Sequence, residues 1–65
     1  MTIYCAYADK SGTYGVGTIG PMQVITPVGD CRKFTSFEEA DQVAHDIASG
    51  KYPDLRPAGK YVNMR

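Results

Sequence analysis

The stretch Thr35 to Gly50, TSFEEADQVAHDIASG, constrains the fold more than any other part of the chain, because its start, stop and face signals agree. Ser36 can cap a first helical turn, and Glu39, three residues on, can answer it in a capping box. Gly50 can take the left-handed conformation that closes a helix, and Pro53 shortly beyond cannot prolong it. Between these signals Phe37, Ala40, Val43, Ala44, Ile47 and Ala48 form one apolar stripe, with Glu38, Asp41, Gln42, His45 and Ser49 opposite. The spacing predicts an amphipathic helix with one face packed and the other turned to water or a partner.

What the helix packs on is read from the residues around it. Thr2 to Ala8 reads as a first strand, stopped by the turn-forming cluster Asp9-Lys10-Ser11-Gly12. Thr13 to Ile19 should return antiparallel, with Tyr14, Val16 and Thr18 on one face and Gly15 and Gly17 on the other. Glycines inside a strand let another element approach closely, and the alanine-rich helix is the candidate to occupy that bare face. Gly20-Pro21 breaks the chain, Met22 to Thr26 reads as a third strand, and Cys31 to Phe34 as a short fourth or a lead into the cap. Lys51 to Gly59 should be an irregular surface connection, and Lys60 to Met64 a last strand. The expected fold is one small α+β domain over residues 1–65: an antiparallel sheet of three to five strands, one helix packed on one face, in the order β-β-β-(β)-α-β. Ile3, Val16, Val24, Ile25 and Phe34 are the strand candidates for the core.

Size sets the margin. A chain of 65 residues hides only about 60% of the surface its unfolded form exposes, so its core is thin. Cys5 and Cys31 match neither a zinc-ligand set nor a disulfide framework. They read as free thiols, with a Cys5–Cys31 bridge as the alternative. No apolar run reaches the length of a membrane span, and MTIYCAYADK lacks the features of a secretion signal, so a cytoplasmic protein without a membrane role is expected.

The net charge is zero, which argues against generic nucleic-acid binding. That zero is a sum of opposites. From Phe34 to Gly50 there are four acids, Glu38, Glu39, Asp41 and Asp46, and no Lys or Arg; from Lys51 to Arg65 four basic residues stand against Asp54 alone. Acids in the first turn are stabilised by the helix dipole. Asp46, in the last turn, needs a nearby cation such as Lys51 or Arg56.

Three patterns suggest chemistry and then fail on context. Gly15-Val16-Gly17-Thr18-Ile19-Gly20 matches a dinucleotide-binding turn, but it sits inside a strand pattern and opens no helix. Asp41, His45 and Ser49 supply an acid, a base and a hydroxyl, yet side chains on one straight helix do not converge on a substrate. Five tyrosines, Tyr4, Tyr7, Tyr14, Tyr52 and Tyr61, could stack on bases, but strands one and two carry only Lys10 beside them. No catalytic residue, metal or cofactor is expected.

The run Asp9-Lys10-Ser11-Gly12-Thr13-Tyr14-Gly15-Val16, followed by Thr35-Ser36-Phe37-Glu38-Glu39-Ala40, resembles the N-terminal domain of HicB-type antitoxins. That resemblance implies a module that holds a small toxin ribonuclease inactive. In general character, a compact domain with one acidic helix and no active site, the chain also resembles small phage-encoded inhibitors of the anti-CRISPR type. This likeness implies a non-enzymatic protein that occludes a basic, nucleic-acid-binding surface of a partner protein in the host cytoplasm. The expected partner-binding residues are Glu38, Asp41, Gln42, His45 and Asp46. A small nucleic-acid-binding domain using Lys51, Arg56, Lys60 and Arg65 is a further alternative, and a free sheet edge would let two copies pair as a homodimer.

Overall fold

A computed structural model describes residues 2–28, 32–52 and 59–64. Strands β1 (Ile3–Ala8), β2 (Tyr14–Ile19) and β3 (Ile25–Pro27) precede helix α1 (Phe37–Ala48), and β4 (Lys60–Tyr61) follows it. The sheet order is β3-β2-β1-β4, with α1 packed on one face. The α+β expectation holds, with one correction: the sheet is mixed, not antiparallel. β1–β2 and β2–β3 are antiparallel, but β4 runs parallel to β1, Ile3 opposite Lys60 and Tyr4 opposite Tyr61. The reason lies where the helix ends. The Gly59 amide donates to the Ala48 carbonyl at 3.0 Å and the Lys60 amide to the Thr2 carbonyl at 2.8 Å, so β4 enters beside the start of β1 and must run with it. Only glycine fits at that entry, because a Cβ on Gly59 would lie 2.1 Å from the Thr2 carbonyl oxygen.

The helix has both expected ends. Ser36 Oγ accepts from the Glu39 amide at 3.2 Å, and Glu38 and Glu39 stand in the first turn where the dipole favours them. At the other end Gly50 adopts φ 86°, its amide donates to the Ile47 carbonyl, and the Lys51 amide donates to the Asp46 carbonyl. This is the paired closure known as a Schellman motif.

The core is a close contact of small residues. Ala40, Ala44, Ile47 and Ala48 pack on Tyr4, Ala6 and Val16, with Tyr14, Phe34, Phe37, Val43, Tyr52 and Tyr61 around them. The Tyr14 and Phe37 rings meet edge to face at 5.8 Å. The glycine face received a different occupant from the one expected. Register places Tyr4, Ala6, Tyr14 and Val16 toward the helix, and Cys5, Tyr7, Gly15 and Gly17 on the far side. There the Tyr7 ring lies over Gly15 and the Ile25 side chain over Gly17. The glycines therefore admit side chains of neighbouring strands, not the helix, whose alanines already allow it a close approach to the larger side chains of the opposite face.

Two strand assignments shift. Gln23 donates its amide to the Gly20 carbonyl with φ 59°, and the Gly20 amide donates to the Val24 carbonyl. Residues 20–24 are thus a tight turn, β3 starts only at Ile25, and Val24 is 64% exposed instead of buried. Of the expected fourth strand, Phe34 forms only an isolated bridge to Tyr14, while Cys31, and with it the Cys5–Cys31 alternative, lies outside the described residues, as does most of the Lys51–Gly59 connection. Cys5 is a free thiol, fully buried, and burial pushes its pKa up.

Candidate functional site

The five helix residues expected to meet a partner do not share one plane. At 3.6 residues per turn, Glu38, Asp41 and His45 form one row along the helix flank. The row borders β4: Tyr61 donates its hydroxyl to Asp41 Oδ1, and the His45 ring meets the Tyr61 ring edge to face at 5.2 Å. Burial first, then the hydrogen bond to Asp41 and its negative charge, push the Tyr61 phenol up to about 12. Glu38 and His45 are exposed, Asp41 half-buried.

Asp46 has a structural occupation. Gln42 Nε2 donates to its Oδ1 at 3.0 Å, and Lys51 Nζ stands 3.8 Å from its Oδ2. The helix closure brings this about, since the two residues it joins by backbone, Asp46 and Lys51, carry opposite charges. The cation sought for the last turn is Lys51; Arg56 lies outside the described residues. Asp46 and its partner Gln42 thus form a second group, away from β4. Gln42 remains exposed at the crest of the helix.

The other sequence patterns are placed plainly. Asp41 and His45 turn to Tyr61, while Ser49 Oγ donates to the Asp46 carbonyl at 2.9 Å, so these three side chains make no common site. Gly15 and Gly17 lie within β2. Four of the tyrosines, Tyr4, Tyr14, Tyr52 and Tyr61, belong to the core or its margin, and Tyr7 covers Gly15. A cavity of about 40 Å³ opens between Val16, Phe34, Val43 and Ile47, with Arg32 and Tyr52 also lining it. It has room for a water molecule or two. Among the described residues no group of three or more His, Cys, Asp or Glu could hold a metal ion, and no helix is long and apolar enough to cross a membrane.

Sequence reasoning missed Tyr61. Its position two residues past Gly59 carries no helical spacing to Asp41, and only the parallel return of β4 beside β1 brings it under the helix. In comparisons with known proteins, no protein-family model matches the chain, and no curated protein and no solved structure matches it either.

Proposed function

We propose that the protein is a non-enzymatic inhibitor of the anti-CRISPR type, which binds a partner protein in the cytoplasm and occludes its basic nucleic-acid-binding surface. The observation that supports this reading is the row Glu38, Asp41 and His45, on a helix capped at both ends and free of Lys and Arg from Phe37 to Ala48. A rigid, single-sign flank steers a basic surface toward it and loses little entropy on docking. Asp41 is held in place by Tyr61, so the carboxylate is oriented before a partner arrives.

The test compares the protein with a Glu38→Lys/Gln42→Lys variant, both positions being exposed. Each is added to a panel of CRISPR effector complexes and small toxin ribonucleases, and nucleic-acid binding is read by mobility shift at low and high salt. The expected result is that the protein displaces nucleic acid from at least one effector, less so as salt rises. The variant should lose on the order of 2–5 kcal/mol of affinity if those side chains are buried and paired in the complex. Displacement from a toxin alone would favour the antitoxin reading. Retardation of RNA or DNA by the protein itself, abolished on neutralising Lys51 and Lys60, would replace both.

A further inference from the structure

The sheet has two edges, and they differ in what they offer a new strand. At the β3 edge, the Gly20 amide bonds the Val24 carbonyl and the Val28 amide bonds the Val16 carbonyl, and Thr26 stands opposite Thr18. By the alternation of an antiparallel pair, Ile25 and Pro27 then turn their backbones outward. Pro27 has no N–H to give, and beyond it Phe34 exchanges two hydrogen bonds with Tyr14, covering the rest of that edge of β2. Among the described residues, that edge leaves a new strand only the outward N–H of Ile25 as a donor, between the turn at 20–24 and Pro27.

Among the described residues, no strand pairs with the outer edge of β4. Lys60 and Val62 both donate their amides to β1, so the N–H and C=O of Tyr61 between them point away from the sheet. The surroundings of this edge differ on its two faces. On the helix face stand Asp41 and His45, in contact with the Tyr61 side chain, and Glu38 one turn back. On the far face, alternation places Lys60 with Val62, whose amide continues the bonding to β1, and Met64 follows just beyond; Val62 is 38% and Met64 49% exposed.

We propose that β4 takes up an extended segment of the partner protein as a fifth strand, with Lys or Arg at alternate positions facing Glu38 and Asp41 and apolar residues between them covering Val62 and Met64. This rests on the reading of the helix flank as a partner surface and names how the partner is held. Backbone hydrogen bonds to Tyr61 supply attachment, and the two unlike faces select a period-two basic and apolar pattern. A second copy of the chain is disfavoured as the occupant. Antiparallel pairing of two β4 edges sets both helices on the same side of the joined sheet, bringing Glu38 and Asp41 of one copy against those of the other.

The experiment uses two synthetic peptides, one of alternating Lys and Val and one of alternating Glu and Val, with the full-length protein and nitrogen-15 NMR. With the Lys/Val peptide, exchange of the Tyr61 amide should slow tenfold or more, and chemical-shift changes should gather on residues 59–64 and on Glu38, Asp41 and His45. The Glu/Val peptide should do neither. A Val62→Lys/Met64→Lys variant should weaken the Lys/Val peptide at least tenfold while keeping its folded spectrum. Overturning results are an unprotected Tyr61 amide, equal response to both peptides, shifts at β3, or protection that rises with protein concentration in the absence of peptide, which would mark a second copy. Should effector displacement require Glu38 and Gln42 but tolerate the Val62→Lys/Met64→Lys change, the inhibitor reading stands and strand addition falls. Loss of displacement by neither variant removes both.

Discussion

The two faces of the sheet are closed by different means. Toward α1, closure comes from another element: three alanines and Ile47 let a helix settle on Tyr4, Ala6 and Val16. Away from α1 there is no second layer among the described residues, and the sheet covers itself. Tyr7 and Ile25 lie over glycines of the neighbouring strand, and Cys5 between them in register is fully buried. Among the described residues, glycine makes the room that a large neighbour fills, and the centre of the far face, at Cys5, Gly15 and Gly17, is buried without a second layer. The helix face is intolerant of polarity, whereas the far face is intolerant of volume.

The strongest way to break this contrast is Ile47→Asp. Ile47 is 1% exposed at the centre of the helix contact, and an unpaired carboxylate there should cost more than the roughly 3–5 kcal/mol such a core supplies. Loss of the cooperative transition in thermal circular dichroism is the expected result; a melting curve like that of the wild type would show that the face is wrongly assigned. On the far face the corresponding pair is Gly17→Ala and Gly15→Ala. A Cβ at Gly17 meets the Thr26 carbonyl oxygen at 2.6 Å, a backbone atom that cannot step aside, whereas at Gly15 it meets the tip of the Tyr7 side chain at 2.8 Å, which can swing. Urea titration should show about 1–3 kcal/mol lost at Gly17 and clearly less at Gly15. Equal losses would mean that Tyr7 is as fixed as backbone.

The smallest effect concerns the margin between the faces, where Tyr61 reaches Asp41. A phenol raised from an unfolded value near 10 to about 12 adds stability that is complete below pH 10 and is lost as pH climbs toward 12. In ultraviolet titration of the tyrosines, one should ionise well above the others, and Asp41→Asn should lower it by removing the carboxylate's charge. Absence of a late-titrating tyrosine would place the Tyr61 hydroxyl in water. It follows too that reversing Asp41 is not silent for the fold, which is why Glu38 and Gln42 serve better as probes of binding.

What could be read before the structure was what is local. The cap at Ser36, the closing Gly50 and the stripe from Phe37 to Ala48 are written within one helix's length of each other, and all three are found. Of the two cations offered for Asp46, Lys51 and Arg56, the structure pairs it with Lys51, which the local helix closure brings near, and Arg56 lies outside the described residues. What escaped was set by distant pairing. The parallel direction of β4 depends on Gly59 meeting Ala48 and Thr2, and the far-side closure depends on the β1–β2 register. Val24 has strand propensity, but the turn begun at Gly20-Pro21 reaches its carbonyl, so it stays outside β3 and exposed. Of the candidate site, the acidic flank was legible from composition and spacing, but its division into an Asp41–His45–Tyr61 group and an Asp46–Gln42–Lys51 group was not.

The hydrogen bond from the Lys60 amide to the Thr2 carbonyl joins positions at opposite ends of the chain. In kinetic language it closes, with the Val62–Tyr4 bond of equal span, the longest loop among the described backbone hydrogen bonds, and loop-closure entropy favours forming such a contact after the β1–β2 hairpin and the helix. The expectation is that β4 arrives last and leaves early. Anything that clamps it, a fifth strand included, acts on a step beyond the folding transition state. Its effect should be a longer native lifetime, with the rate of folding left nearly unchanged.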